Sequence, residues 1–322
     1  MENKQIIRKI AWNKIFSRYG IYVAFIFVCV IISILNPVFL SGRNILNVLR
    51  QVSLVGIIGI GVTFVILAAD IDLSIGSVAA LSGVLAAGFY SGMYFPKLNI
   101  YLTLAIALSV SLVIGLIMGV IITKGKVHPF VITLGMLSIA RGLALIYAKG
   151  APVGGLDETF LFLGGGRIWI IPVPLIFFIV IAVVSYLILT KTPYGIYIYA
   201  IGGNREATRL SGINVDLVRI VSFGICSLLA GFAGIILAAR VNSGEPVAAE
   251  GWELDAIAAA IIGGTSLFGG KGGIGATVIG AMFLGVLRNG LNLLQISAFY
   301  QRVFIGTLII IAVIIDSVRK ED

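Results

Sequence analysis

Residues 98–123 read LNIYLTLAIALSVSLVIGLIMGVIIT, a run without a single charged side chain. An α-helix needs about 20 predominantly apolar residues to cross the hydrocarbon core of a bilayer, so this run is long enough to span a membrane. The whole chain agrees, since 59% of its 322 residues are hydrophobic and only 11% are charged. A soluble domain carries about 25% charged residues. The sequence therefore excludes a soluble fold and predicts an all-α integral membrane protein.

Intervals free of charge predict a polytopic bundle of about ten transmembrane helices, in a single domain over residues 1–322. The fifth predicted span is accepted only with Arg141 inside it. The eighth and ninth are short or rich in glycine, which leaves open whether they are full helices, broken or re-entrant. In chain order the predicted spans are Tyr19–Gly42, Gln51–Ala69, Leu73–Pro96, Leu98–Thr123, Val127–Ala148, Ile168–Thr190, Ile220–Ala239, Ala256–Gly270, Gly272–Leu287 and Val303–Ile315.

The net charge of +9 reflects membrane topology rather than nucleic-acid binding, because the basic residues lie in the loops between apolar stretches. When successive loops are assigned to alternate sides, the side of the N-terminus holds about twice as many Lys and Arg residues as the other. This bias predicts a cell-membrane protein with both termini and residues 191–219 in the cytoplasm, and Lys149–Arg167 outside. Arg43 and Arg50 fall on the outer side and fit this rule poorly.

The inner segment 191–219 contains signals for a short capped helix. Asn204 is a good N-cap, Arg205 to Ser211 supply about two turns, and Gly212 suits a left-handed end. Glu206 near the start and Arg209 near the end agree with the helix dipole, while the apolar side consists of Ala207, Leu210 and Ile213. This pattern fits either an ordinary loop helix or a helix that docks on another protein.

The run Tyr199–Asn214 resembles the coupling segment of permease subunits in bacterial ATP-binding-cassette importers for monosaccharides, and looks closest to their ribose-transport members. Three further stretches match the same family, from the second predicted span to near the C-terminus: Gly61–Gly76, Glu253–Leu267 and Asn289–Leu294. Four separated motifs in the right order make the resemblance specific. The small neutral pair expected before Ile71-Asp72 is here Ala69-Asp70, so the exact sugar stays open.

The resemblance implies a complex with a second permease copy, a cytoplasmic ATPase subunit and an external sugar-binding protein, and this chain itself is in contact with membrane lipid. ATP and magnesium are then expected on the ATPase, and this chain is neither an enzyme nor the holder of a cofactor, a metal or nucleic acid. The role of contacting the ATPase falls on Asn204, Arg205, Glu206, Thr208, Arg209 and Gly212, together with the apolar residues Ala207 and Leu210.

Polar side chains in or beside predicted spans are candidates for a translocation path, and each has a structural alternative. They are Asp72, Arg141, Arg288, Asn289, Asn292 and Gln295. Asp72 is expected to cap the third span, because Asp is a strong N-cap. The two arginines pair within a bundle more often than they contact a sugar. The three amides suit sugar hydroxyls and interhelical hydrogen bonds equally well.

Two other function classes compete with an ATP-driven importer. A secondary transporter driven by an ion gradient would place carboxylate pairs inside its spans, whereas nearly all acidic residues here lie at span ends or in loops. A membrane-embedded enzyme would need clusters of His, Cys or carboxylates that the sequence lacks. Within the importer class, the substrate can be ribose, another aldose, a nucleoside or a furanose signal.

Overall fold

The computed structural model describes residues 20–93 and 96–321, with side chains described at all of these positions except 315 and 318–321. The chain there is almost wholly helical. Its helices are α1 (Gly20–Leu35), α2 (Gly42–Leu67), α3 (Ile75–Ser91), α4 (Ile100–Lys124), α5 (Pro129–Ala148), α6 (Glu158–Gly165), α7 (Val173–Lys191), α8 (Pro193–Gly203), α9 (Arg205–Leu210), α10 (Val215–Val241), α11 (Trp252–Gly263), α12 (Ile274–Leu293) and α13 (Ala298–Glu321). A two-stranded hairpin, β1 (Arg167–Ile168) and β2 (Ile171–Pro172), precedes α7.

Three of the long helices form the centre of the bundle, together with the shorter and largely buried α3. About 78% of the most apolar window of α2 is buried, and 61% of the corresponding windows of α10 and α12. The same windows of α4, α7 and α5 are only 33%, 28% and 17% buried, so these helices present their apolar side chains to the surroundings. α10 packs against α2, α3 and α4, while α12 packs against α2 and α11. Exposed apolar faces on peripheral helices are what a bilayer requires.

The predicted number of ten transmembrane spans is not confirmed by the structure. Within the described residues, six helices are long and apolar enough to cross a membrane, namely α2, α4, α5, α7, α10 and α12. Three more, α1, α3 and the apolar part of α13, are apolar but shorter. The predicted eighth span is α11, whose 12 residues reach about 18 Å, well short of a hydrocarbon core of about 30 Å. The predicted ninth span is α12, a full helix of 20 residues.

Several predicted span boundaries are wrong because the helices continue through charged residues. α2 begins at Gly42, where the Ser41 hydroxyl accepts a hydrogen bond from the Asn44 backbone. Arg43 and Arg50 therefore lie inside this helix, and not in an outer loop. α10 likewise continues through Arg219. The start of the first predicted span, at Tyr19, lies outside the described residues, as do the basic residues that precede it.

Small residues bring the central helices close together. A β-carbon added to Gly115 of α4 would overlap the Phe223 carbonyl oxygen of α10, and one added to Gly280 of α12 would overlap the Ala259 carbonyl oxygen of α11. Polar pairs reinforce the same packing, since the Thr63 and Thr277 hydroxyl oxygens lie 2.6 Å apart between α2 and α12. Close backbone approach and interhelical hydrogen bonds are the usual means of helix association in a bilayer.

The polar segments fall into two groups at opposite ends of α10, a helix of 27 residues and about 40 Å. At its C-terminal end, Val153 and Gly244 form an isolated antiparallel bridge, which joins the segment containing α6 to the loop before α11. At its N-terminal end lie α8, α9 and the turn between α11 and α12, residues 264–273. We call these the outer and the inner end, after the topology that the charge bias predicts.

Candidate functional site

The short helix α9 has the local geometry that the sequence predicted. The Asn204 side-chain oxygen accepts a hydrogen bond of 2.9 Å from the Ala207 backbone, which caps the helix start. The chain leaves the helix at Ser211 and turns at Gly212, whose φ of 83° is left-handed. One feature was not predicted: residues 193–203 form a helix of their own, α8, so that α9 follows a single break at Asn204.

α9 exposes an apolar side chain that nothing in the described chain covers. Leu210 is 82% exposed, and Ala207 and Glu206 are exposed beside it. Thr208 faces the other way and is buried, with its hydroxyl donating to the Asn204 carbonyl over 2.7 Å. A short helix that carries an exposed leucine on its free face is suited to dock into a groove of another protein.

The base of α9 is fixed by a buried ion cluster around Asp70. This carboxylate is 2% exposed and receives hydrogen bonds from Arg219 Nε at 2.7 Å and Arg219 Nη2 at 2.9 Å. Arg205, the first residue of α9, donates to Asp70 Oδ1 at 3.1 Å and to the Ala68 carbonyl at 3.0 Å. One carboxylate therefore holds together the end of α2, the start of α9 and the first turns of α10.

Close backbone contact fixes α8 in the same place. A β-carbon on Gly202 would overlap the Leu67 carbonyl oxygen and the Gly270 nitrogen, and these two atoms share a hydrogen bond of 3.1 Å. The Tyr199 hydroxyl donates to the Gly272 carbonyl over 2.9 Å, and burial raises the pKa of this tyrosine. Gly270 has a φ of 69°, which the turn requires. α8 thus rests on the turn that joins α11 to α12.

A cavity of about 730 Å³ opens beside α9, between this helix and the turn from α4 to α5. We call it the inner cavity. Four of its lining side chains are cationic, and Asp216 is the single carboxylate on its wall; the cations are Lys126, Arg205, Arg209 and Arg219. Asp216 is itself engaged, because it pairs with Lys124 at 2.8 Å and with Arg209 at 3.4 Å. The inner cavity is therefore electropositive.

A second cavity of about 500 Å³ lies at the outer end, enclosed by α2, the start of α11, the end of α12 and the start of α13. We call it the outer cavity. Its polar lining combines an indole, amides, carboxylates and guanidinium groups, contributed by Gln51, Glu250, Trp252, Glu253, Asp255, Arg288, Asn292, Gln301 and Arg302. Arg288 and Asp255 form an ion pair on its wall. Among the described residues, no group of His, Cys, Asp and Glu could hold a metal ion.

Only two of the six predicted path residues, Arg288 and Asn292, line the outer cavity. Asn289 forms a reciprocal pair of 2.8 Å hydrogen bonds with Asn44, so it joins α12 to α2. Arg141 donates to the carbonyls of Pro246 and Ala248, at 2.7 and 2.8 Å, and thereby fixes the loop before α11.

The remaining two lie apart from the outer cavity. Gln295 is exposed in the turn after α12, with a φ of 57°. Asp72 is fully buried near the inner end, and its Oδ1 accepts hydrogen bonds from the Ser74 backbone and hydroxyl ahead of α3. Gln295 therefore lies in a turn, and Asp72 stabilises the turn before α3, whose N-cap residue is Ser74 and not Asp72 as predicted.

The comparison with known families accounts for this architecture. Residues 44–313 match the family described as branched-chain amino acid transport system / permease component. The chain belongs to this permease family. It is 46% identical over 311 residues to a ribose import permease protein of Bacillus subtilis, an alignment that covers 96% of this chain and 95% of the relative. It is 43% identical to a ribose import permease protein of Escherichia coli K12, with 92% and 93% covered.

A third relative is named after a different sugar. The D-allose transport system permease protein of Escherichia coli K12 is 38% identical over 316 residues, which cover 98% of this chain and 95% of the relative. No solved structure matches the chain. The permease is therefore a multi-pass membrane component of a transport system, and the apolar faces of its peripheral helices lie in the cell membrane.

Sequence reasoning missed two features of this permease. The first is the pairing of Asp70 with Arg205 and Arg219, which are 135 and 149 residues away and which no local pattern links to it. The second is the position of Trp252 and Gln301 on the wall of the outer cavity. The signal available for Trp252 was its place between Glu250 and Glu253 at the start of a motif already matched to the family.

Proposed function

We propose that this permease carries ribose across the cell membrane as the membrane-spanning component of an ATP-driven importer. The ribose import permeases of two bacteria, at 46% and 43% identity over nearly the whole chain, support this substrate. The name of the D-allose relative shows that permeases of this kind serve more than one aldose. The proposal includes an external sugar-binding protein and a second permease copy as partners.

The observation that carries the ATP-driven part is the exposed, capped helix α9. Leu210 is 82% exposed on a helix whose opposite side is fixed to the membrane bundle. We infer that Leu210 enters a groove of a separate ATPase subunit, and that ATP and magnesium bind to that subunit. Glu206 and Arg209 lie at the rim of this contact.

Force on α9 has a direct structural route into the bundle. Arg205 connects α9 to the end of α2, and Gly202 connects α8 to the turn between α11 and α12. The other end of α11 lines the outer cavity. A displacement of α9 is therefore expected to move α11 as a body, which links ATP hydrolysis at the inner end to access at the outer end.

The Leu210→Asp substitution tests the docking role. Loss of a buried apolar anchor at an interface costs on the order of 2 kcal/mol, whereas an exposed ion pair contributes about 0 to 1 kcal/mol. We expect Leu210→Asp to weaken ATPase association and abolish uptake of ribose by proteoliposomes that contain the full complex. Glu206→Gln, on the same helix, is the matched control and should retain most of both activities. Normal ATPase pull-down with Leu210→Asp would show that α9 is an ordinary loop helix.

The proposed orientation places the inner end in the cytoplasm. Single cysteines introduced at Ser211 and Gly154, in a background without Cys29 and Cys226, should react with an impermeant reagent from opposite sides of the membrane. Both positions are in polar segments at the two ends of α10. Reaction of both cysteines from one side would contradict this topology.

A further inference from the structure

We propose that the outer cavity is a binding site for one uncharged, hydroxyl-rich ligand of aldopentose size. The inference rests on the proposed function, because it gives the transported sugar a site on the permease itself. The volume of about 500 Å³ is within the range of about 300 to 1,000 Å³ that is usual for small-molecule sites. Four helices contribute to the wall, so the cavity belongs to the fold and not to one flexible loop.

The neutral groups on the wall are those that recognise sugars. Gln51 of α2, Asn292 of α12 and Gln301 of α13 present amides, each of which combines a donor and an acceptor in one plane. Trp252 of α11 adds a large apolar ring with a single N–H donor. A pentose has one face of C–H groups for such a ring and a rim of hydroxyls for the amides.

Gln301 is held in place before any ligand arrives. It is 8% exposed, and its Nε2 donates to the Asn292 side-chain oxygen and to the Ile296 carbonyl, both at 2.8 Å. These bonds use the amide nitrogen, and within the described residues the amide oxygen of Gln301 has no hydrogen-bond partner. A fixed acceptor on a cavity wall binds a hydroxyl without the entropy cost of ordering a side chain.

The charges of the outer cavity favour an uncharged ligand. Asp255 is paired with Arg288, and Arg302 lies within electrostatic range of the same carboxylate. Glu250 and Glu253 are in turn within range of Arg141, which approaches from α5. Since each carboxylate has a cation of this chain close by, the charges around the cavity are already balanced, and an ionic ligand finds no excess of opposite charge there. A neutral polyol needs no such excess.

Trp252 supplies the probe for the experiment. The chain has three tryptophans, so Trp12→Phe with Trp169→Phe leaves Trp252 as the single fluorophore. This variant, reconstituted alone in nanodiscs, is titrated with ribose, with leucine and with glycine betaine as the osmotic control. We expect a saturable change in emission with ribose and none with the other two. Leucine matters because the family description names branched-chain amino acids.

Two substitutions on different helices, with a matched control, locate the response. Asn292→Ala and Gln51→Ala each remove one amide from the wall and should weaken ribose binding up to about tenfold, the effect of one lost hydrogen bond. Gln295→Gly removes an amide three residues from Asn292 but outside the cavity, at a left-handed position where Gly is unstrained. It should leave the titration unchanged. Thermal unfolding of each variant shows that the fold is retained.

Each outcome is decisive. No response to ribose, a response to leucine instead, or a ribose response that survives both Asn292→Ala and Gln51→Ala would overturn the proposal. The assay needs neither ATPase nor binding protein, so it separates this inference from the proposed function. ATP-driven uptake of ribose without a Trp252 response would support the proposed importer function and refute the sugar site in the outer cavity.

Discussion

The two ends of the permease differ in the balance of charge on the walls of their cavities. The inner cavity has four cations on its wall, of which Arg205 and Arg219 pair with the buried Asp70, and Asp216 is its single lining carboxylate. An exposed Leu210 lies on the adjacent helix. The outer cavity balances three carboxylates with cations close to them and adds amides and an indole. A net positive surface attracts an acidic partner and speeds its association. A balanced polar cavity instead discriminates among neutral ligands by hydrogen-bond geometry.

The ends also differ in how their ion pairs are held. At the inner end, Asp70 and Arg219 are 2% and 6% exposed, and they tie three elements together. At the outer end, Lys97 Nζ and Asp157 Oδ2 form an ion pair of 3.2 Å, and about half of each side chain is exposed. A buried charge left alone is costly, whereas an exposed pair contributes little. The inner end therefore holds the more rigid ion cluster, at the place where we propose that α9 transmits force.

The largest effect is therefore expected from Asp70→Asn. Removal of one partner from a buried ion pair costs about 3 to 5 kcal/mol, because the remaining charge stays buried. Arg219 would be left in that position, and Arg205 would lose its link to α2. The free energy of unfolding, measured in detergent, should fall by this order, and ATP-driven uptake should fall more steeply than sugar binding. The double variant Asp70→Leu with Arg219→Met, which removes both charges, should recover part of the stability but none of the coupling. A change below about 1 kcal/mol for Asp70→Asn would show that solvent reaches the cluster.

A smaller effect on stability is expected at the end of α8, where two neighbouring glycines allow one substitution to serve as the control for the other. Gly202→Ala forces a methyl group into the Leu67 carbonyl and the Gly270 backbone, and overpacking of this kind costs about 1 to 3 kcal/mol. Gly203→Ala meets no atom within 4 Å, and alanine is the better helix former, so it should be neutral or slightly stabilising. Thermal unfolding and uptake measured on the pair test whether α8 must rest on the turn between α11 and α12. Equal behaviour of the two variants would refute this contact.

The sequence predicted local features well and distant contacts poorly. The cap at Asn204, the turn at Gly212 and the long apolar helix α4 follow from signals within a few residues of each other, and the structure has all three. The start of α2 was missed, since a rule that ends spans at charges cannot recognise a helix that continues through Arg43 and Arg50. Helix existence follows from composition, but its boundary depends on what surrounds it.

The candidate sites show the same limit. Asn289 and Asn292 lie on one stretch and looked equivalent, yet three residues of helix turn Asn289 toward Asn44 and Asn292 toward the outer cavity. Which side of α12 meets which neighbour is a property of the assembled bundle. The outer segment forms the short helix α6, whose N-cap residue Asp157 contacts Tyr90, and this contact could not be predicted from the sequence.

The contact between Tyr90 and Asp157 is expected to have the smallest effect on stability. The Tyr90 hydroxyl donates to Asp157 over 2.6 Å, and together with Lys97 it lowers the pKa of this carboxyl from its ordinary value near 3.8 to about 2. A depressed pKa means that the contribution to stability is fully present above about pH 4 and is lost as the pH falls toward 2. Asp157→Asn keeps the cap of α6, because Asn is an equally good N-cap, and removes only the charge. We expect this variant to unfold within a few degrees of the natural protein at pH 7, unlike Asp70→Asn, which makes the same chemical change at the inner end. The difference between the natural protein and Asp157→Asn should shrink as the pH is lowered from 5 to below 3, which thermal unfolding followed by circular dichroism would measure. A loss of stability as large as that of Asp70→Asn, or a stability difference that grows in acid, would contradict this prediction. It would show that the exposed pair at the outer end contributes as much to stability as the buried pair at the inner end.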